Sequence, residues 1–242
     1  VADDGSDNVS CINENRKINA IPHSVFHEIG ENHGRSWIRN WLVKHSHGQF
    51  LLFIDSDAEV CSDGFVRIYL EETGKNAVIC GGILHAEENN SPSACLRYRY
   101  EKTMEPAFTA ERRNRHPYAN LRTFNFMMPR EVTLLGYELE QDGVSIIHID
   151  NPLINGYLED NHKFLSKTEE ALHSLHQLKD RMGSHSRLLQ HYERLKRFKA
   201  DAILRLLFPV MRPLLVRHLT GRNPSVAMFQ FYKLSYYCHL RK

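Results

Sequence analysis

Apolar runs alternate with amphipathic periods along the first 160 residues of this chain. Four segments have the apolar character of buried strands: Phe50–Ile54, Ala77–Ile83, Arg122–Met128 and Val144–Ile149. A loop that enters a helix precedes them at residues 32–43, and helical periods follow at residues 65–72 and 133–141. Strands that alternate with helices predict an α/β domain in which a mixed sheet is flanked by helices.

From Glu159 onward the pattern becomes almost wholly helical. An apolar stripe crosses residues 160–182, and a second helical period covers residues 185–208. We therefore expect an α/β domain at residues 1–160 and a helical C-terminal extension at residues 161–242. The chain opens on Val1-Ala2-Asp3-Asp4, the end of a strand and a turn, so we expect that an N-terminal strand and a helix are missing.

Net charge differs between these two regions. Residues 161–242 hold 16 Lys and Arg against 5 Asp and Glu, whereas residues 1–160 hold 15 against 24. This polarity indicates an acidic body and a basic extension that meets an anionic surface. The apolar segment 203–217, interrupted by Arg and Pro, fits an element in the headgroup plane of a membrane. The alternative is a helix packed on the domain with its Arg side chains outward.

Composition places the chain among soluble globular proteins, with 42% hydrophobic and 25% charged residues. Its five cysteines form no CxxC pair, and no apolar run approaches the ~20 residues of a membrane span. We expect a cytoplasmic protein that can lie peripherally on the inner face of the cell membrane. Nucleic acid is not an expected partner, because no nucleic-acid-binding module accompanies the basic charge.

The strand predicted at Phe50–Ile54 ends in Asp55-Ser56-Asp57. Ligands of open α/β sheets lie beyond the carboxyl ends of such strands. Two carboxylates this close repel each other unless a cation lies between them, and Mg²⁺ or Mn²⁺ prefers oxygen ligands. The alternative is an acidic turn without a metal, since Asp and Ser favour turns.

Two further motifs precede this strand. Asp3-Asp4-Gly5-Ser6 places carboxylates on a tight turn, where they can accept hydrogen bonds from a uracil or a ribose, or simply form a solvated Asx turn. Asn32-x-Gly34 introduces a helix that carries Arg39 and Asn40. Arg39 can hold a phosphate or a base carbonyl, or contribute only surface charge.

In this order the three motifs resemble family 2 glycosyltransferases with the GT-A fold, a Rossmann-like mixed sheet flanked by helices. Later segments are similar to a subgroup common in bacterial surface-polysaccharide loci: Arg122–Arg130, Leu135-Gly136-Tyr137-Glu138-Leu139 and His148–Ile154. The resemblance spans about residues 1–175, and the combination is far more specific than any single motif.

The resemblance implies inverting transfer of a sugar from a nucleotide-sugar, with a UDP-sugar as the expected donor, to a glycan or lipid-linked acceptor. It assigns the nucleoside to Asp3 and Asp4, the base or phosphates to Arg39, and the ribose to Asp55. Asp57 would bind Mn²⁺ or Mg²⁺, which stabilises charge on the leaving diphosphate. Asn125 would line the donor or acceptor pocket.

The chain departs from the family where the catalytic base is expected. Relatives usually carry a glycine- and tyrosine-containing loop with a Glu-Asp pair before the helix at 133–141, but here Val132 is followed directly by Thr133. One explanation is a mobile acceptor loop that this chain does not include, which we favour; the other is a shortened site. The nearest acids are Glu131, the candidate base, and Glu138, which can equally decorate the helix surface.

A second departure is Asn155, where relatives often have a His that could help bind the metal. His148, at a strand end, could serve instead or be structural, because neutral His binds divalent metals better than Asn does.

Two other functions remain open on the sequence. Haloacid-dehalogenase-like phosphatases also place Asp-x-Asp after an apolar strand, but their other motifs cannot be placed here. A catalytically degenerate glycosyltransferase that scaffolds a membrane assembly becomes the better hypothesis if the acidic loop is truly missing.

Overall fold

The computed structural model describes residues 1–86, 91, 93, 95–104, 109–132, 139–140, 142–182 and 186–240. The chain divides into two compact units. The first unit comprises Val1–Leu51 and Met128–Leu135, and the second comprises Leu52–Met127 and Gly136–Lys242. Neither unit ends at residue 160, and the domain boundary expected there stays a prediction.

Strands and helices alternate through the first 160 residues and helices follow, which confirms the mixed α/β class, consistent with the GT-A fold, and its helical C-terminal part. The strands are β1 (Ala2–Asp3), β2 (His27–Glu28), β3 (Phe50–Ile54), β4 (Ala58–Val60), β5 (Val78–Cys80), β6 (Ile83–His85), β7 (Asn125–Pro129), β8 (Ile146–His148) and β9 (Leu153–Asn155). The helices are α1 (Val9–Arg16), α2 (Arg35–His45), α3 (Phe65–Glu71), α4 (Cys95–Met104), α5 (Ala110–Asn114), α6 (Asn161–Gln177), α7 (Lys179–Met182), α8 (Arg187–Arg197), α9 (Ala200–Leu219) and α10 (Val226–Leu240).

Three sheets are formed by these strands. β1 and β2 pair in parallel within the first unit. A four-stranded sheet has the order β3-β7-β5-β8, with β5 antiparallel to β7 and parallel to β8. A three-stranded sheet has the order β4-β9-β6, with β9 antiparallel to β4 and parallel to β6. Of the helix predicted at residues 133–141, only residues 139–140 are described, and they are helical, whereas Glu138 lies outside the described residues.

Strand β3 differs from the buried parallel strand that its apolar run predicts. It lies at the edge of its sheet, where only Leu51 is buried and Ile54 is 43% exposed. Hydrogen bonds from Arg130 N–H to Gln49 O and from Asp55 N–H to Phe124 O show that it runs antiparallel to β7. An apolar run alone does not distinguish a central strand from an edge strand.

The run Ala77–Ile83, predicted as one strand, forms parts of two strands in different sheets. The chain leaves β5 at Gly81 and enters β6 after Gly82, whose φ of 98° favours glycine. A Cβ at Gly81 would overlap the carbonyl oxygen of Asn151 and lie 2.5 Å from Asn125 Nδ2. The glycine pair therefore allows the crossing between the sheets.

The helix predicted at residues 185–208 is divided into α8 and α9. Lys199 has a φ of 56° and separates the two helices. Pro209 and Pro213 lie inside α9, which is nevertheless continuous over 20 residues. Apolar periodicity passes through such a break unchanged, and this is why the sequence predicted one helix.

The C-terminal helices pack against α4 and against one another in the second unit. One apolar cluster joins residues of α4, α6, α9 and α10: Leu96, Leu165, Phe208, Leu215, Leu219, Phe229 and Tyr232. A second cluster joins α6, α8 and α10 through Leu172, Leu189, Tyr192, Tyr237 and Cys238. At the start of α6, Asn161 Oδ1 accepts the Leu96 N–H at 2.8 Å. The basic helices are thus part of a packed core.

A charged cluster lies beside this core. Arg122 Nη1 is 3.1 Å and His85 Nε2 is 3.6 Å from Glu101 Oε2. Burial by itself raises the pKa of Glu101, but the neighbouring His85 and Arg122 more than offset it and lower the pKa to about 2. The ionised carboxylate consequently stabilises the fold above its ordinary titration range, and this contribution is lost as the pH falls towards 2.

We predict that Glu101→Gln lowers the free energy of unfolding at neutral pH by up to about 3 kcal/mol. The difference from the parent protein should shrink as the pH falls from about 4.5 towards 2, measured by urea unfolding at a series of pH values. The exposed Glu111→Gln is the control. A difference that does not change with pH would contradict the role of the ionised carboxylate.

We predict that Gly81→Ala destabilises the second unit by about 1–3 kcal/mol, because the added methyl group overlaps backbone and side-chain atoms. Gly74→Ala is the matched control, since a Cβ there meets nothing within 4 Å. Thermal unfolding of both variants makes the comparison, and equal midpoints would refute the packing argument.

Candidate functional site

The turn Asp55-Ser56-Asp57 in the second unit is held by its backbone. Asp55 N–H donates to Phe124 O at 3.1 Å, and the Ala58 N–H closes the turn by donating to Asp55 O at 3.1 Å. On the other side, Gly156 N–H donates to Asp57 O at 2.9 Å. The turn is thereby fixed between the segment before β7 and the segment after β9.

The two carboxylates differ in exposure. Asp55 is half-buried, whereas Asp57 is exposed. A fixed backbone with an exposed carboxylate suits binding of a soluble ligand, because little ordering of the chain remains to be done. The acidic-turn alternative is correct about the local backbone, but it does not conflict with ligand binding.

The acidic turn carries the oxygen donors on which the predicted metal site depends. Among the described residues, no group of three His, Cys, Asp or Glu side chains could hold a metal ion by itself. Mg²⁺ usually keeps several waters and is bound by one or two carboxylates together with substrate phosphates. The oxygen donors of Asp55 and Asp57 fit an ion held in this shared way, with Asp57 as the accessible ligand.

Asn155 lies directly beside this turn. It is the register partner of Ala58 in β4 and of His85 in β6, and it is buried. Its side-chain oxygen accepts the Tyr157 N–H at 3.2 Å. The sequence position where relatives often have a His is therefore next to Asp57 in the structure.

His148 occupies a different environment. It lies on β8, buried, with Nε2 3.0 Å from Pro117 O, while its backbone N–H donates to Asn114 Oδ1. Burial lowers the pKa of His148, and the Pro117 carbonyl opposes this effect. A ring nitrogen on a backbone carbonyl favours the structural role, and the metal-ligand role stays a prediction.

Asn125 lies in the interior rather than on an open surface. Its side chain is 1% exposed, and Nδ2 donates to Gly82 O at 3.1 Å and to Asn151 O at 2.9 Å. Tyr69 Oη donates to Asn125 Oδ1 at 2.6 Å, and burial raises the pKa of this tyrosine. Both amide hydrogens are used inside the protein, so Asn125 anchors segments and has no hydrogen left for a substrate.

In the first unit, the turn Asp3-Asp4-Gly5-Ser6 is packed against the loop before α2. Asp4 accepts the His33 N–H at 3.0 Å and the Gly34 N–H at 2.8 Å. Gly5 has a φ of 77°, and a Cβ there would lie 2.5 Å from Asn32 N. The first two motifs are therefore one structure, and Asp4 holds the start of α2.

Asp3 forms the Asx turn that the sequence allowed, since its carboxylate accepts the Ser6 N–H at 2.7 Å. Its other oxygen positions can still receive a ligand. Arg39 lies on α2 and is partly buried, and its contact with a base or phosphates stays a prediction. Trp37, also on α2, is 40% exposed and lies with its ring centroid 4.1 Å from that of His33.

The region of the missing base is described only in part. Glu131 is an exposed turn residue after β7, and Val132 N–H donates to Pro129 O at 3.0 Å. Thr133 to Glu138 lie outside the described residues. The two explanations for the absent acidic loop therefore both stand.

Sequence reasoning missed a buried cation in the second unit. Arg113 is 5% exposed, and Nη2 donates to Ile149 O at 2.7 Å. Burial lowers the pKa of Arg113, and Asp150 Oδ1 at 3.9 Å opposes the shift. The sequence gives little indication that Arg113 is buried, because this arginine lies in a run of charged residues that resembles a solvated helix face.

Comparison with known protein families gives the same family that the order of the three motifs resembles. The model of the family described as glycosyl transferase family 2 matches residues 1–134, more than half of the chain. This match includes both motifs of the first unit and the acidic turn after β3. No curated protein matches the chain. The chain belongs to the family 2 glycosyltransferases.

Proposed function

We propose that this protein is an inverting glycosyltransferase that moves a sugar from a UDP-sugar to a glycan or lipid-linked acceptor in surface-polysaccharide synthesis. The observation that carries the proposal is the acidic turn at Asp55–Asp57. It lies inside the region matched by the family model and has a backbone held on both sides. Family membership supports a nucleotide-sugar donor and a separate acceptor.

In this proposal Asp57 binds Mn²⁺ or Mg²⁺, and Asp55 receives the ribose. A bound ion would stabilise the negative charge that develops on the leaving diphosphate. The exposure of Asp57 and the partial burial of Asp55 support this division of roles.

Asp3 and Asp4 take the nucleoside, and Arg39 takes the base or phosphates. Asp4 does this with the carboxylate lone pairs that His33 and Gly34 leave unused. The contact of Gly5 with the loop before α2 supports a preformed turn, because neither segment can move without the other.

Glu131 is the candidate base that accepts the proton of the acceptor hydroxyl. It is the acid nearest to the position where relatives carry Glu-Asp, and it is exposed. The basic C-terminal helices support a cytoplasmic enzyme that works peripherally at a membrane surface, where a lipid-linked acceptor resides.

A second candidate is a catalytically degenerate glycosyltransferase that acts as a scaffold. The direct sequence Val132-Thr133, without a Glu-Asp pair, favours it. Such a protein could bind nucleotide but would transfer no sugar.

We predict that UDP with Mn²⁺ raises the thermal unfolding midpoint more than either alone, because ion and diphosphate bind together. Asp57→Asn should remove most of the additional shift. Asp63→Asn, another exposed aspartate on a turn of the second unit, should keep it. No response of the parent protein to any nucleoside diphosphate would overturn the donor-site proposal.

We predict that Glu131→Gln lowers the rate of sugar transfer by about 10²–10⁴-fold while the thermal response to UDP with Mn²⁺ is unchanged. Donor sugars are first screened by nucleotide-sugar hydrolysis. Glu111→Gln is the control for loss of an exposed acid. Undiminished transfer would exclude Glu131 as the base, and a parent protein that binds UDP but transfers nothing would favour the scaffold.

A further inference from the structure

Helix α9 carries an apolar face that points into solvent. Leu206 and Val210 are 78% and 76% exposed, at the spacing of one helical turn. The same face continues through further exposed apolar residues: Ile203, Leu207, Pro213 and Leu214. Six neighbouring apolar side chains on one helix face form a continuous patch rather than scattered exposure. We call this set the outward face of α9.

The opposite side of the helix is the packed one. Phe208, Leu215 and Leu219 are buried in the cluster shared with α6 and α10. The helix therefore has a packed apolar face and an outward apolar face, and it also carries the exposed Arg205, Arg212 and Arg217. An exposed apolar face of this size marks a contact surface. The protein core covers the side of α9 that carries Phe208, Leu215 and Leu219. The outward face would be removed from water by a second apolar environment.

The dimensions suit a helix that lies along a surface. From Ile203 to Leu214 the outward face extends about 17 Å along the helix axis, at 1.5 Å per residue. Among the described residues, no helix is long and apolar enough to cross a membrane. An exposed apolar side of this kind can instead enter the boundary between headgroups and acyl chains.

In the sequence, cations flank the outward face on both sides. Arg194, Lys196, Arg197 and Lys199 precede it, and Arg217 and Arg222 follow it. Asp201 is the sole acidic residue between positions 194 and 222. A second copy of the chain would bring these cations together, so charge favours an anionic partner over self-association. An anionic bilayer supplies both the charge and the apolar phase.

We propose that the outward face of α9 inserts into the interfacial layer of a bilayer that contains anionic lipid. Leu206 and Val210 enter the acyl boundary, and the flanking Arg and Lys side chains contact lipid phosphates. Phe198, which is 84% exposed at the break before α9, inserts beside them. The proposal gives the peripheral location proposed above a defined surface, and it does not require that the protein transfer sugar.

The test is co-sedimentation of the full chain with phosphatidylcholine vesicles, with and without phosphatidylglycerol. The parent protein should bind the anionic vesicles, and Leu206→Glu with Val210→Glu should weaken binding at least about tenfold. The matched control is Val66→Glu with Leu70→Glu, an exposed apolar pair at the same spacing on α3, which should bind as the parent does.

A milder variant keeps the test decisive if the double glutamate variant does not fold. Arg217→Gln should lower vesicle binding about fivefold, and added salt should also lower the binding of the parent protein. Equal binding of parent and double variant, no preference for anionic vesicles, or a dimer that the double variant abolishes would each overturn the proposal. No nucleotide is present, so failure here is separate from failure of the donor-site test.

Discussion

The side-chain amide of Asn125 joins three segments of the second unit. It donates to Gly82 at the crossing between β5 and β6 and to Asn151 between β8 and β9, and it accepts from Tyr69 on α3. Because this amide is buried, loss of any of these bonds would leave a polar group unsatisfied in the interior. The crossing at the glycines depends on the same arrangement, since a side chain at Gly81 would occupy the space of the amide.

The acidic turn is positioned by elements that this amide connects. Phe124, which accepts the Asp55 N–H, directly precedes Asn125 at the start of β7. Gly156, which donates its N–H to Asp57 O, directly follows β9. The half-buried Asp55 and the exposed Asp57 thus lie above a buried hydrogen-bond network. Asn125, assigned by the resemblance to the donor or acceptor pocket, is thus a buried anchor beneath the acidic turn, and its pocket role stays a prediction.

Local patterns predicted the α/β class, the strand before Asp55 and the helices at α2, α3 and α6, because the periodicity of consecutive residues determines each of these elements. They failed where distant segments decide the outcome. The edge position of β3, the division of Ala77–Ile83 between two sheets and the pairing of β4 with β9 all depend on partners far away in the chain. The break at Lys199 was also missed, since a left-handed backbone at a lysine has no sequence signature. The turns at Asp3–Ser6 and Asp55–Asp57 were predicted from consecutive residues, whereas the burial of Arg113 was not, and the ligand roles of these residues stay predictions.

Pro209 and Pro213 set a limit on how α9 can meet lipid. A proline has no N–H, so neither Pro209 nor Pro213 can donate the usual helical hydrogen bond to the turn before it. In hydrocarbon, backbone polar groups must find their partners within the protein, whereas at the interface water and headgroups are also available. In the proposed insertion, the two prolines therefore favour a shallow position, at which side chains of α9 reach the acyl region while its backbone stays close to water.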